Sequence, residues 1–193
     1  MPTEKHRNSQ RRYYEDMGVY FITTNTYNLH PYFGEEIFCD LFVEELEFCK
    51  KLKEFEIYGY KINPDHVHLM IQQGAKFNFS EVMHFLKRNF SQNANKIIGA
   101  TQKGGLTSFQ RRRCASSPLK EFDGIVKTHK DKFDSKYKGK HDLLPFKWQK
   151  SFHYHLIKDR RDFLNHLEYI HKQWQKHGLP ENKYCYFVEV LPF

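Results

Sequence analysis

A turn between two strand-like runs limits what this chain can fold into. Asn63-Pro64-Asp65 joins the run Phe55–Lys61, with Ile57, Tyr58 and Tyr60, to His66-Val67-His68-Leu69-Met70-Ile71. Proline fixes its own φ, and the flanking Asn and Asp favour turn geometry. The chain therefore reverses here, and the two runs are expected to pair antiparallel. Side chains alternate across a strand, which puts His66 and His68 on one face and Val67, Leu69 and Ile71 on the other. Two imidazoles side by side make half of a metal site. Such a pair also arises by chance in a chain of 12 histidines, so its meaning depends on a third ligand and a reacting group elsewhere.

The rest of the chain supplies partners for that hairpin. Val19–Tyr27 is rich in β-branched and aromatic residues and reads as a first strand, ended by the segment that contains Pro31. From Glu35 to about Lys53, Ile37, Phe38, Leu41, Phe42, Leu46, Cys49 and Leu52 recur with helical spacing. Ser80 reads as the N-cap of a helix to about Ile98, with Val82, Phe85, Leu86, Phe90, Ala94 and Ile97 inward. Its outer face would carry Lys87, Arg88, Asn89, Gln92, Asn93 and Lys96, either as a solvated strip or as a DNA contact. Phe146–Ile157 reads as a fourth strand. Asp159 or Asp162 opens a helix that ends near Gly178, with Phe163, Leu167, Ile170 and Trp174 as its buried stripe. The tail Tyr184–Val190 is able to add an edge strand or to meet a partner. Strand, helix, strand, strand, helix, strand, helix is the order of an α+β, ferredoxin-like (RRM-like) sandwich. That fold has a four-stranded antiparallel sheet with packed helices, here with a further C-terminal helix.

Hydrophobic residues are 39% and aromatics 17% of 193 residues, enough for one folded domain, placed at 18–178. A basic arm (1–17) and a tail (179–193) flank it. Lysines and arginines outnumber acidic residues 31 to 23, a net charge of +8 that favours polyanions such as nucleic acid. The segment 99–146 holds 11 of those cations against 5 acids, so six of the eight net charges fall there. It reads as a basic insert without strong periodicity, either flexible or a loop that grips nucleic acid. Arg11 and Arg12 in the arm, Lys87 and Arg88 on the helix, and Arg111, Arg112 and Arg113 in the insert are the candidate DNA contacts. The four cysteines show no Cys-x-x-Cys spacing, which points to reduced, structural thiols. Without a signal-type N-terminus or a run of 18 apolar residues, a cytoplasmic protein with no membrane association is expected.

The last helix offers the second half of a site. Tyr169 and Gln173 stand four residues apart, on one face, beside the expected buried stripe. A phenolic nucleophile attacking a phosphodiester needs a divalent cation to polarise the phosphate, and Gln173 Oε1 could be that ion's third ligand. Tyr154, Tyr184 and Tyr186 have no glutamine one turn on.

Three blocks taken together resemble a known family. His66-Val67-His68, Trp148-Gln149-Lys150-Ser151-Phe152-His153-Tyr154-His155-Leu156-Ile157 and Leu167-Glu168-Tyr169-Ile170-His171-Lys172-Gln173 are similar to the signatures of single-tyrosine HUH transposases. Within that group they lie near the REP-associated tyrosine transposases and the small transposases of insertion sequences. The likeness spans about residues 18–98 and 146–178. It implies that His66, His68 and Gln173 hold Mg²⁺ or Mn²⁺ and that Tyr169 is the nucleophile. The implied reaction cuts single-stranded DNA next to hairpin or REP-like structures through a 5′-phosphotyrosine link and a free 3′-OH, then reverses to join strands. It also implies either a monomer or a homodimer in which the tyrosine helix completes the partner's site. A histidine near His155 recurs in the family's Trp-Gln block, where it would hold DNA or a hydrogen bond behind the ligands. His171-Lys172-Gln173 is nearer the insertion-sequence pattern than the Asn-Pro that follows the tyrosine in many REP-associated members, and the basic insert departs from the compact core. From the residues alone, a non-catalytic module binding DNA or RNA through sheet aromatics and the insert is the rival reading.

Overall fold

The computed structural model describes residues 12–100, 117–178, 180 and 183–188. The expected hairpin forms from β2 (Glu56–Asn63) and β3 (His66–Gln72). On its other edge β3 pairs antiparallel with β1 (Val19–Asn25), with Thr23 across from His68 and Asn25 across from His66. β4 (His153–Leu156) adds outside β1, and β5 (Cys185–Phe187) outside β2. The order β4-β1-β3-β2-β5 contains the four ferredoxin-like strands and gains a fifth from the C-terminal tail. β3, paired on both edges, is buried continuously from Val67 to Ile71, as a central strand covered on both faces must be.

The alternation of β1 and β3 sorts the layers. Tyr20, Ile22, Val67, Leu69 and Ile71 face α1 (Glu36–Lys53) and α2 (Phe79–Ile98). Val19, Phe21 and Met70 face the other way, onto Phe163, Leu167 and Ile170.

Several local expectations are corrected. α2 is capped by Asn78, not Ser80. Asn78 Oδ1 accepts from the Glu81 amide, and Glu81 Oε2 accepts from the Asn78 amide, both at 3.0 Å. The Asn-x-x-Glu spacing decides the start, because it satisfies two orphan donors reciprocally. Ser80 Oγ instead accepts from Arg12 Nη1 at 2.7 Å. Lys87 and Asn93 are not on a solvated face: both are buried. Lys87 Nζ donates to the carbonyls of Gln149 (2.8 Å) and Ser151 (2.9 Å). Those bonds explain why the fourth strand is shorter than expected. Phe146, Trp148 and Phe152 all turn into the core, and an ammonium rather than a neighbouring strand satisfies carbonyls between them.

The basic insert also gains structure. α3 (Ser117–Tyr137) packs on α1 and α2 as an outer layer. Phe122, Val126, His129 and Phe133 are buried there. His129 Nε2 meets Glu44 Oε2 at 2.6 Å, and Lys136 Nζ meets Glu35 at 2.6 Å. Arg11 and Arg111–Arg113 lie outside the described residues. No helix among the described residues is long and apolar enough to cross a membrane.

Two tests follow from this packing. Truncating the fully buried Phe133 should cost about 3–5 kcal/mol in a denaturant titration; an effect near zero would mean that α3 is not part of the cooperative core. Glu45 is buried between α1 and α2, where burial raises its pKa to about 7 despite a hydrogen bond from Asn93. Folding therefore favours the protonated carboxyl. Its contribution is full below about pH 4.5 and is lost as pH rises through about 7. Glu45→Gln should match wild type in unfolding experiments at acid pH and exceed it above neutrality.

Candidate active site

His66 and His68 sit at the start of β3 on the face away from α1 and α2. His68 is buried, and its Nδ1 meets Thr23 Oγ1, its cross-strand partner, at 2.9 Å. His66 Nδ1 meets Asp65 Oδ1 at 2.6 Å. Each ring is thus held through Nδ1, and the two Nε2 atoms face one another at 3.2 Å, with Asn63 Nδ2 3.0 Å from that of His66. Two nitrogens about 2.1 Å from one metal ion would be separated by about 3.0–3.4 Å, so the spacing fits a shared cation. A carboxylate or hydroxyl behind a ligating imidazole is the usual support. Burial first, then neighbouring His66, push the His68 pKa down to about 3. His68 is therefore neutral near physiological pH, the state that ligates a metal.

The facing helix is α4 (Arg160–His177). Asp159 caps it, accepting from the Asp162 amide at 2.9 Å, and Gly178 ends it at φ 61°. The helix lies close to β2. A Cβ added to Gly59 would stand 3.3 Å from both Leu167 Cδ2 and Ile170 Cδ1, so Gly59 leaves bare backbone for the helix to rest on.

Here the expected stripe is corrected. Gln173, 2% exposed, continues Phe163, Leu167 and Ile170 inward, while Trp174 is only half-buried. Tyr169, one turn earlier, is 39% exposed. Its ring stands edge-on to His68 at 5.2 Å and to Phe21 at 5.8 Å. The Gln173 amide lies against His68, close enough to act on its ring, and Gln173 Oε1 is buried without a well-formed hydrogen bond. An oxygen left unpaired in this position costs free energy until something electropositive meets it. The donor set of two imidazoles and an amide oxygen therefore fits a divalent cation.

Two features of this face escaped the sequence reading. His177 continues the Tyr169, Gln173 spacing by one more turn, and its ring lies 5.1 Å from His66. Burial first, then His66, lowers its pKa. Phe21, across the sheet, packs against both His68 and Tyr169. The i, i+4, i+8 spacing was the available signal for His177; nothing in the sequence singled out Phe21. The tyrosine and the histidine pair come from the same chain.

The remaining candidates are placed elsewhere. Arg12, Lys87 and Arg88 meet Lys147 and Lys150 around a cleft of about 410 Å³ on the α2 side of β4, with no acidic residue in its lining. The Arg12 guanidinium covers the Phe152 ring at 4.2 Å. Burial first, then Arg12, lowers the Lys87 pKa to about 8. His155 is on β4, half-exposed, with Nε2 2.8 Å from Asp162 Oδ2. Tyr184 bonds Asp40 and Tyr186 stacks on Tyr60, both away from the histidines.

Comparison with known proteins supplies a context for this geometry. The family of IS200-like transposases matches residues 30–121, a stretch that includes the histidine strand but not the tyrosine helix. A solved structure of a REP-associated tyrosine transposase bound to a REP hairpin is 19% identical, with a TM-score of 0.59 over 90% of this chain and 76% of that one; at that identity the likeness is one of fold. A crystal structure from Deinococcus radiodurans R1, of a protein provisionally named a transposase, is 16% identical. It has a TM-score of 0.43 over 86% of this chain and 97% of that one, too low to bear on the fold. No curated protein matches the chain in sequence.

Replacing Gln173 with Met removes the unpaired oxygen at similar volume. The metal-free variant should be as stable as wild type, or up to about 1 kcal/mol more so, while the rise in Tm produced by Mn²⁺ should shrink. A clear loss of metal-free stability in thermal unfolding would show that the amide is already satisfied.

Proposed function

We propose that this chain, whose residues 30–121 match the family of IS200-like transposases, cuts and rejoins single-stranded DNA through a covalent link to Tyr169. The observation that carries the reading is the meeting of two half-sites in one chain. The Tyr169 ring lies against His68, and the unpaired Gln173 Oε1 is buried one turn further along the helix.

In this reading Tyr169 Oη attacks the scissile phosphorus as the P–O3′ bond breaks. The phenol loses its proton and the departing 3′ oxygen gains one. The products are a 5′-phosphotyrosine and a free 3′-OH, and attack by a 3′-OH on the same phosphorus restores a phosphodiester and frees Tyr169. The bond energy is stored in the protein link, so rejoining needs no further source of energy. His66, His68 and Gln173 would hold the divalent cation, Mg²⁺ or Mn²⁺, which when bound polarises the phosphate and offsets the charge that develops on it. Asp65 and Thr23 fix the two imidazoles from behind, and Phe21 and His68, stacked on one another, both meet the phenol ring edge-on.

The substrate proposed is an unpaired strand beside a hairpin or REP-like structure, the class named for the REP-associated relative. Arg12, Arg88 and His155 are proposed to contact its backbone, with Arg11 and Arg111–Arg113 as further contacts; Lys87, buried and committed to the carbonyls of Gln149 and Ser151, lies behind them. Since the tyrosine faces the histidines of its own chain, a monomer is sufficient for the chemistry.

Hairpin-bearing single-stranded DNA and Mg²⁺ should yield an adduct that survives denaturation, and Tyr169→Phe should yield none above background. Equal adduct from the Phe variant, or adduct unaffected by a chelator, would overturn the reading in favour of a binding module without catalysis.

A further inference from the structure

A second group of ligating side chains lies on the same face of the sheet, beyond Phe21. His155 comes from β4, and Asp162 and His166 stand one turn apart near the start of α4. Their donor atoms all lie within 4.8 Å of one another. His155 Nε2 is 2.8 Å from Asp162 Oδ2, and His166 Nδ1 is 3.0 Å from Asp162 Oδ1 and 2.9 Å from the Asp162 backbone carbonyl. The two imidazoles stack at 4.7 Å. The group is separate from the histidine pair of β3. The Phe21 ring stands between them, 4.6 Å from His166 and 5.4 Å from His68.

We propose that His155, Asp162 and His166 bind a late first-row divalent ion of the Zn²⁺ type, which clips β4 to the tyrosine helix. Contacts of 2.8 and 3.0 Å are close to the edge of about 3 Å between neighbouring ligands of an ion bound at about 2.0–2.2 Å. Two imidazoles and one carboxylate form a borderline donor set, which favours Zn²⁺, Co²⁺ or Ni²⁺ over the harder Mg²⁺. The site is also preorganised. Asp162 is pinned at its amide by Asp159 (2.9 Å) and at its carboxylate by the Lys158 amide (3.0 Å). His155 is held by the pairing of β4 with β1, and His166 by its place one turn after Asp162. The His155 side chain is 44% exposed, so an ion held by three protein ligands keeps one side open to water.

Binding exchanges hydrogen bonds for metal bonds without any redox change. Each imidazole presents an unprotonated nitrogen to the ion, and its remaining proton sits on the other ring nitrogen. The consequence reaches the nucleophile through packing. His166 precedes Tyr169 by three residues, and both rings rest on Phe21.

The test is calorimetric titration of the full chain, stripped with chelator, with Zn²⁺. Wild type should bind two ions per chain, one lost in His66→Ala and the other lost, or weakened about a hundredfold or more, in His166→Ala. Zn²⁺ should still raise the Tm of His66→Ala. His155→Gln, at a half-exposed position, gives the same readout if His166→Ala does not fold. A single wild-type ion that disappears in His66→Ala, or a stoichiometry unchanged by both the His166 and His155 variants, would overturn the proposal. Loss of an ion in His166→Ala but not in His66→Ala would uphold this site and count against the metal role of the β3 pair.

Discussion

The antiparallel register between β1 and β3 decides which layer each side chain enters. With Thr23 across from His68 and Asn25 across from His66, the odd positions of β3 serve the core under α1 and α2, and the even ones serve the tyrosine helix. A slip of one residue would exchange the two sets, burying the imidazoles among phenylalanines and turning Val67, Leu69 and Ile71 toward α4. The register is held by apolar burial on one face and by specific polar pairing on the other. Thr23 and Asp65 occupy the inner nitrogens of the histidines, so these polar rings can be kept in a mostly dry place. Gln173 Oε1, like Asn63 Oδ1 and Thr24 Oγ1, is a buried oxygen with no partner, and its amide lies against His68, whose Nε2 faces that of His66.

Much of this could be read from the sequence because local pattern and tertiary role agree. The Asn-Pro-Asp turn, the seven apolar positions of α1 and the paired Tyr169 and Gln173 spacing all signal through neighbouring residues. What could not be read depends on contacts far along the chain. Lys87 has the spacing of an outer helical position, and only the carbonyls of Gln149 and Ser151, more than sixty residues later, make its burial tolerable. The apolar stripe of α3 is diluted by lysines and completed by a histidine, His129, whose partner Glu44 is on another helix. Asn78 and Ser80 are both good caps, and the choice between them rests on Glu81. His155, Asp162 and His166 carry no signal as a group until β4 and α4 are brought together.

The basic character of the chain also divides once the fold is known. Lys61 and Lys87 are buried and donate to backbone carbonyls, and Lys136 is tied to Glu35. These charges hold the architecture. Arg88, exposed, is different: it borders a cleft lined by cations without acidic counterparts, where a polyanion would meet an uncompensated field.

The distance along the chain between β3 and α4 has a consequence for how the protein is made. A chain emerges from the ribosome N-terminus first, and its elements can dock only once they have appeared. When α1, β2, β3 and α2 are complete, the histidine pair exists while the face carrying Val19, Phe21 and Met70 is still bare. The phenol arrives about a hundred residues later, on the helix that covers this face. Covering the apolar surface and bringing the Tyr169 ring to the histidines are thus one event, so a fragment that stops short of that helix would leave this face bare and the histidines without the phenol.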